Sequence, residues 1–354
     1  MIPLHALSLE ELSQWFTTHD EKPFRAKQIF QWIYEKKISD WEKMTDLNKG
    51  LRKKLSEAFT LTTLIQTRVQ QSKDHDTTKF LWQLSDQKLV ESVLICSGDR
   101  RTVCVSSQVG CPARCAFCAS GKEGLIRNLT PAEIFEQVYQ IDQWLAERGE
   151  RVSHIVFMGM GEPFENYDAV VSAIRLLIDP SRLNISQRRI TVSTVGVVQG
   201  IRRLMEEGLK VSLVLSLHAP NQHIRKKIIP YARKYELEDI LAAMIEYGQK
   251  THRDITYEYT LIQGINDRAE HAEELCRLLK RQQCTVNLIP YNPVPGLRLS
   301  RPDKDKIEAF KQILTDAGIV TTWRYTKGKD IAAACGQLAL QEASASKALN
   351  IVNP

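Results

Sequence analysis

Gly110-Cys111-Pro112-Ala113-Arg114-Cys115-Ala116-Phe117-Cys118 is the stretch on which the reading of this chain turns. Its three thiols have the spacing Cys-x3-Cys-x2-Cys. Iron–sulfur clusters normally take four cysteines. Three in one run, with no fourth beside them, suit a cubane cluster held at all but one of its irons. That last iron then stays open to a substrate. A structural zinc site is the alternative. Zinc closes with a full set of ligands, often in paired Cys-x2-Cys knuckles. No second knuckle exists here, and the nearest downstream histidine, His154, lies far along the chain.

The sequence around this run alternates between strand and helix. Short apolar strand candidates lie at 102–106, 154–158, 189–193, 211–217, 255–261 and 285–289, with helical stretches between them. The best marked helix starts at Thr130-Pro131-Ala132-Glu133, a capping box with proline at the first helical position. Ile134, Val138, Ile141 and Leu145 continue it as one apolar stripe. Repeated βα units imply an α/β fold with a parallel sheet, open or curled into a barrel. A last helix (303–317), a strand (319–325) and a loosely ordered tail (341–354) are expected after them.

In such a barrel, chemistry gathers at the C-terminal ends of the strands. The cysteine run follows the first strand, and Gly159-Met160-Gly161-Glu162-Pro163 follows the second. Ser193 ends the third, Ser216-Leu217-His218 the fourth, and Asn292 follows the sixth. Glycines after a strand let backbone approach a ligand closely. A glutamate there can accept hydrogen bonds from an ammonium group.

Before the barrel, residues 1–60 read as helices, opened by Ser8 and Glu11 at capping-box spacing. Pro23 precedes a second helix carrying Ile29, Trp32, Ile33 and Lys36. Basic and aromatic residues are interleaved here, as in a nucleic-acid docking module or a helical bundle with a solvated face. Residues 61–99 read as a linking β extension, with a hairpin of strands at 78–84 and 88–95.

The 354 residues carry a net charge of +6, compatible with a polyanionic partner. No basic segment followed by a long apolar stretch opens the chain, and no apolar run is long enough to span a membrane. A cytoplasmic protein is expected, and a monomer, since no isolated amphipathic seam suggests self-association. The eight cysteines then point to metal binding or catalysis rather than a disulfide framework. Cys96, Cys276 and Cys284 read as ordinary apolar side chains.

Taken together, RTVCVSSQVGC, CAFCASGKEGLIRNLT, FMGMGEPFEN, RRITVSTVGVV, SLHAPN, NLIPYNPVPG and DIAAACGQL resemble the RlmN/Cfr family. These are enzymes of the radical S-adenosylmethionine (SAM) superfamily that methylate adenosine in RNA. The likeness runs from about residue 20 to 340, and PFRAKQIFQWIY is similar to the family's helical RNA-contact domain. It implies a partial (β/α)6 barrel over residues 100–340, with residues 1–60 as accessory domain. It implies a [4Fe-4S] cluster on Cys111, Cys115 and Cys118, and two SAM molecules per turnover. Gly161, Glu162, Ser193, Ser216, Leu217, His218 and Asn292 match the family's SAM contacts. Cys335 matches a cysteine that is itself methylated, Cys104 its resolving partner, and Glu91 a proton acceptor.

The resemblance also implies 23S ribosomal RNA and some transfer RNAs as substrates, and a reducing electron donor for the cluster. Arg188, Arg189, the run Arg225 to Lys227, Arg233 and Lys234 are candidates for phosphate contact. Pro163 after Glu162, and Val109 in SSQVGC, favour the branch that methylates carbon 2 over the Cfr branch, which methylates carbon 8. An RNA-binding protein with a structural metal is the reading from another class. It has no use for Cys335.

Overall fold

A computed structural model describes residues 1–280, 282–323 and 327–338. The N-terminal strand β1 (Ile2–Pro3) is followed by three helices, α1 (Leu9–Thr18), α2 (Arg25–Phe30) and α3 (Lys49–Ala58). Ser8 and Glu11 form the expected capping box of α1. Helix α2 runs on through a wider turn over Gln31–Glu35. Strand β2 (Phe59–Thr60) pairs with β1 in parallel.

The rest is built on a ten-stranded sheet. Its first strands, β3 (Leu64–Gln71), β4 (Thr77–Leu84), β5 (Leu89–Ser97) and β6 (Arg100–Cys104), run antiparallel in sequence order. A small hairpin, β7 (Gln108–Gly110) with β8 (Leu125–Asn128), brackets the cysteine run. Helix α4 (Pro131–Ala146) then leads to β9 (His154–Phe157), which pairs with β6 in parallel. The alternation continues through α5 (Tyr167–Ile178), β10 (Ile190–Thr194), α6 (Val198–Glu206), β11 (Ser212–Ser216), α7 (Gln222–Ile228) and α8 (Leu237–Thr251). It ends with β12 (Ile255–Leu261), α9 (Ala269–Leu279), β13 (Cys284–Pro290), α10 (Lys304–Asp316) and β14 (Val320–Trp323).

The sheet order is β14-β13-β12-β11-β10-β9-β6-β5-β4-β3, and among the described residues no pairing joins its two ends. The barrel is thus partial, as expected, with β14 a further parallel strand beyond the sixth. The extension differs from the expected hairpin. It contributes three strands, and they prolong the main sheet rather than stand beside it. Strand β3 was not foreseen because only Leu64 is buried on it, so it carries little of the apolar alternation that marks a strand. The tail (341–354) and residues 324–326 lie outside the described residues.

Helix α4 begins at the expected capping box, Thr130 with Glu133, a feature worth about 1 kcal/mol. It also carries the N-terminal module. Tyr139 Oη donates to Ile33 O at 2.8 Å, Lys37 pairs with Asp142 at 2.6 Å, and Glu136 accepts from Thr63 N at 2.6 Å. Arg182, whose side chain is buried, donates to His5 O at 3.0 Å and to Tyr34 Oη. These bonds fix the helical module to the flank of the sheet. No described helix is long and apolar enough to cross a membrane.

Candidate active site

The C-terminal ends of the parallel strands surround a chamber of about 130 Å³. Cys111, Cys115 and Cys118 line one wall. Gly161, Glu162, Ser193, Ser216, His218 and Asn292 line the rest. The sequence scatters these residues over more than 180 positions, and the sheet gathers them in one place. A larger cavity of about 450 Å³ adjoins it, sharing Cys118, Met158, Gly159, Ile289, Asn292, Cys335 and Gly336 as lining. Cys104 and Cys335 both line this second cavity.

The three clustered thiols are deeply set. Burial pushes the Cys111 thiol up to about 12, and it raises Cys118 as well. Cys115 is raised well above the usual thiol range, by burial first and by its neighbours Cys118 and Cys111 next. Metal-free, they are therefore thiols, and a thiophilic cation is what would draw off their protons. Among the described residues no three histidine, cysteine or acidic side chains converge tightly enough for a single metal ion. Three thiols facing one chamber are the donor set that would hold a cubane cluster with one iron left open to that chamber.

Glu162 is 2% exposed. Its carboxylate accepts from Val195 N at 2.8 Å, Thr194 Oγ1 at 2.7 Å and Phe164 N at 3.1 Å. Burial nevertheless raises it to about 7. An incoming ammonium would supply the charge this carboxylate lacks. The loop that presents it is tight: a Cβ on Gly161 (φ +107°) would lie 2.7 Å from Gln108 Cβ. His218 sits in the left-handed region (φ +56°). Its Nδ1 accepts from Thr260 N at 2.9 Å, which leaves the proton on Nε2. Burial, helped by Arg225, lowers it to about 3, so the ring stays neutral. Ser193 and Ser216 hydroxyls meet at 3.1 Å. Thr194, Gln108 and Thr260, which orient Glu162 and His218, were not singled out from the sequence. Gln108 and Thr194 lay within quoted motifs, whereas Thr260 carries no local signal.

Leu217 lies between Ser216 and His218 in the chain. Its side chain is 0% exposed in the core and does not line the chamber. Its backbone contributes instead, through a carbonyl that accepts from Arg225 Nε at 3.2 Å. Arg225 itself is no surface phosphate contact: it is 0% exposed, whereas the adjacent Lys226 pairs outward with Glu236 at 2.9 Å.

Cys335 is exposed and Cys104 is 8% exposed. Neither is in a disulfide among the described residues. The Cys335 segment is tied down on both sides. Asn292 Nδ2 donates to Cys335 O at 3.1 Å, and Ala119 N, next to the last cluster thiol, donates to Gly336 O at 2.8 Å. Lys327 Nζ donates to Cys96 O at 2.7 Å and pairs with Asp76 at 3.2 Å, while Lys73 N donates to Asp330 at 2.9 Å. Glu91 lies on the face of β5 that also presents Val93, and Val93 is paired with Cys104 on β6. It is buried and bridged to Lys79 on β4 at 3.0 Å, and it does not line either cavity.

A partial barrel with a three-thiol wall and a deep chamber at its strand ends defines the class of radical SAM enzymes. Comparison with known proteins agrees. Residues 105–279 match the radical SAM superfamily, and residues 2–61 match the ribosomal RNA large subunit methyltransferase N-terminal domain. The chain is 65% identical over 333 residues to a probable dual-specificity RNA methyltransferase RlmN 2 of Protochlamydia amoebophila, covering 94% of this chain and 93% of that one. It is 45% identical to a probable dual-specificity RNA methyltransferase RlmN of Bacillus subtilis, covering 96% and 93%. The crystal structure of a radical SAM methyltransferase from Sphaerobacter thermophilus superposes with a TM-score of 0.93 at 44% identity, covering 95% of this chain and 99% of that one. The chain belongs to the RlmN family of radical SAM RNA methyltransferases.

Proposed function

We propose that this enzyme methylates carbon 2 of adenosine, in 23S ribosomal RNA and at the adenosine after the anticodon in some transfer RNAs. The methyl group travels on Cys335. One observation carries this reading: Cys335 and Cys104 line one cavity that opens beside the thiol wall. That is the placement needed by a thiol that must meet both a radical source and a resolving thiol.

Carbon 2 of adenine is electron-poor and does not attack SAM as a nucleophile. When bound on Cys111, Cys115 and Cys118, the cluster supplies an electron whose transfer to SAM yields methionine and a 5′-deoxyadenosyl radical. Glu162 holds the ammonium of SAM, and His218, whose proton is on Nε2, lines the same chamber. Cys335, methylated by a first SAM, gives a hydrogen atom to the radical formed from a second. Its methylene carbon then bonds to the ring. The next steps are removal of the ring proton, the role the family resemblance gives Glu91 although it lines neither cavity, and attack of the Cys104 thiolate on Cys335 sulfur. The ring adduct gives up its unpaired electron to the one-electron acceptor that SAM cleavage left oxidised, the S–S bond forms as the S–C bond breaks, and the freed methylene takes up a proton as the methylated base leaves. Reduction of that disulfide by an external donor restores both thiols. The target base must leave its stack to reach the cavity.

The test is anaerobic reconstitution with methyl-labelled SAM, 23S ribosomal RNA fragments and transfer RNA, followed by nucleoside mass spectrometry. Label on carbon 2 of adenosine is the expected result. Label on carbon 8 would move the protein to the Cfr type of reaction. SAM cleavage without labelled RNA would overturn the reading.

A further inference from the structure

Arg225 has no part in the scheme above, yet it is among the largest side chains completely buried in the molecule. It extends from the short helix α7 towards the strand ends. Its Nε donates to Leu217 O at 3.2 Å, and its Nη2 donates to Ser216 O at 3.3 Å and to Val195 O. The remaining group, Nη1, is buried with no hydrogen-bond partner among the described residues. No carboxylate lies within ion-pair distance of it among those residues. The helix that bears it is bonded to the cysteine loop, because Ala116 N donates to Ile228 O at 2.8 Å. Ala116 directly follows Cys115.

A buried cation is costly unless a negative charge compensates it. Burial lowers Arg225 to about 10, which leaves it charged at neutral pH, and Cys115 and then Glu162 act in the opposite direction to favour the charged guanidinium. Glu162 already accepts three hydrogen bonds elsewhere. Cys115 is a neutral thiol when metal-free and a thiolate when it is a ligand. A cubane cluster on three thiolates is net negative, and it becomes more so on taking up an electron. Net charge and hydrogen bonds around the sulfurs are what set such a potential. A fixed cation in a dry site acts on it strongly.

We propose that Arg225 is a positioning residue that holds its charge behind Cys115 and so raises the reduction potential of the cluster, making it reducible by the cell's electron donor. This rests on the reading that Cys111, Cys115 and Cys118 hold the cluster. Arg225 touches neither SAM nor RNA. It acts through the ligand in front of it.

The experiment compares the full-length chain with Arg225→Gln and Arg225→Lys, all reconstituted without oxygen. Iron content and visible absorbance give loading. A redox titration followed by electron paramagnetic resonance gives the midpoint potential. Arg225→Gln loads iron but is reduced with an equilibrium constant about tenfold smaller, a fall of ~59 mV for one electron. Arg225→Lys recovers most of the loss. Full loading with an unmoved potential in Arg225→Gln overturns the proposal.

Should the glutamine variant fail to fold, the decision passes to native protein containing guanidino-15N arginine. Pulsed resonance of its reduced cluster then shows a 15N coupling that Arg225→Lys lacks, and absence of that coupling also overturns the proposal. A native chain that binds no cluster at all would overturn the cluster reading and this inference together, and low iron identifies that case.

Discussion

Two loops of this molecule carry reactive sulfur, and they are built in opposite ways. The cysteine run between β7 and β8 holds its thiols half-buried against the chamber and is pinned along its backbone. Cys111 N donates to Gly124 O at 2.9 Å, Cys118 N to Cys115 O at 3.1 Å, and Ala116 N to Ile228 O at 2.8 Å. The segment around Cys335 exposes its thiol and takes left-handed backbone at Gly328 (φ +64°), Ala332 (φ +50°) and Gly336 (φ +81°). It is secured at its flanks, to the β3–β4 turn on one side and to the end of β13 on the other. In the proposed reaction a ligand must keep one geometry, which a pinned loop gives, and a carrier must meet successive partners, which a tethered loop with an accessible sulfur allows.

The widest separation between the two should come from removing sulfur. Cys335→Ala is expected to abolish RNA methylation while leaving iron content unchanged. Cys118→Ala should lose both, as read by iron assay and labelled-methyl transfer. Loss of iron in Cys335→Ala would break the contrast.

Next in size is the buried pair behind Cys104. Lys79→Met leaves the Glu91 carboxylate without that cation, which should cost about 3 kcal/mol in urea unfolding. It should also slow RNA methylation more than SAM cleavage.

Glu162 sharpens the electrostatic side of the comparison. Its folded pKa of about 7 stands above the ordinary 4.5, so the folded, cofactor-free protein holds a proton that the unfolded chain has released. The stability this contributes is present below pH 4.5 and is lost as pH rises through about 7. Glu162→Gln should flatten that decline, on the order of 2 kcal/mol, in unfolding measured between those pH values.

The smallest effect is expected at the tether. Lys327→Met removes the bonds to Cys96 O and Asp76. It should lower stability by about 1 kcal/mol and methylation a few-fold, with iron loading intact.

Much of this arrangement is written locally in the sequence. Cysteine spacing, capping boxes at Ser8 and Thr130, and glycines after a strand are short-range signals, and they placed the site at the strand ends. What escaped is of longer range. Arg225 stands in a run of three basic residues that reads as solvated surface, and only the packing of α7 shows which one turns inward. Lys79 and Glu91 are twelve residues apart and meet only through the register of β4 and β5. Leu217 shared a motif with Ser216 and His218, but the chain leaves the strand there and its side chain is buried in the core. Strand β3 is an edge strand with mostly exposed side chains, so pairing rather than apolar pattern defines it.

The open sheet has a consequence for what can be admitted. A closed tube would have to be threaded from a free end, and an internal nucleotide has polymer on both sides of it. Among the described residues no pairing joins β14 to β3, so the sheet forms no closed ring through which a polymer would have to be threaded. An enzyme that methylates an internal base, as proposed above, needs a frame of that kind, open along one side.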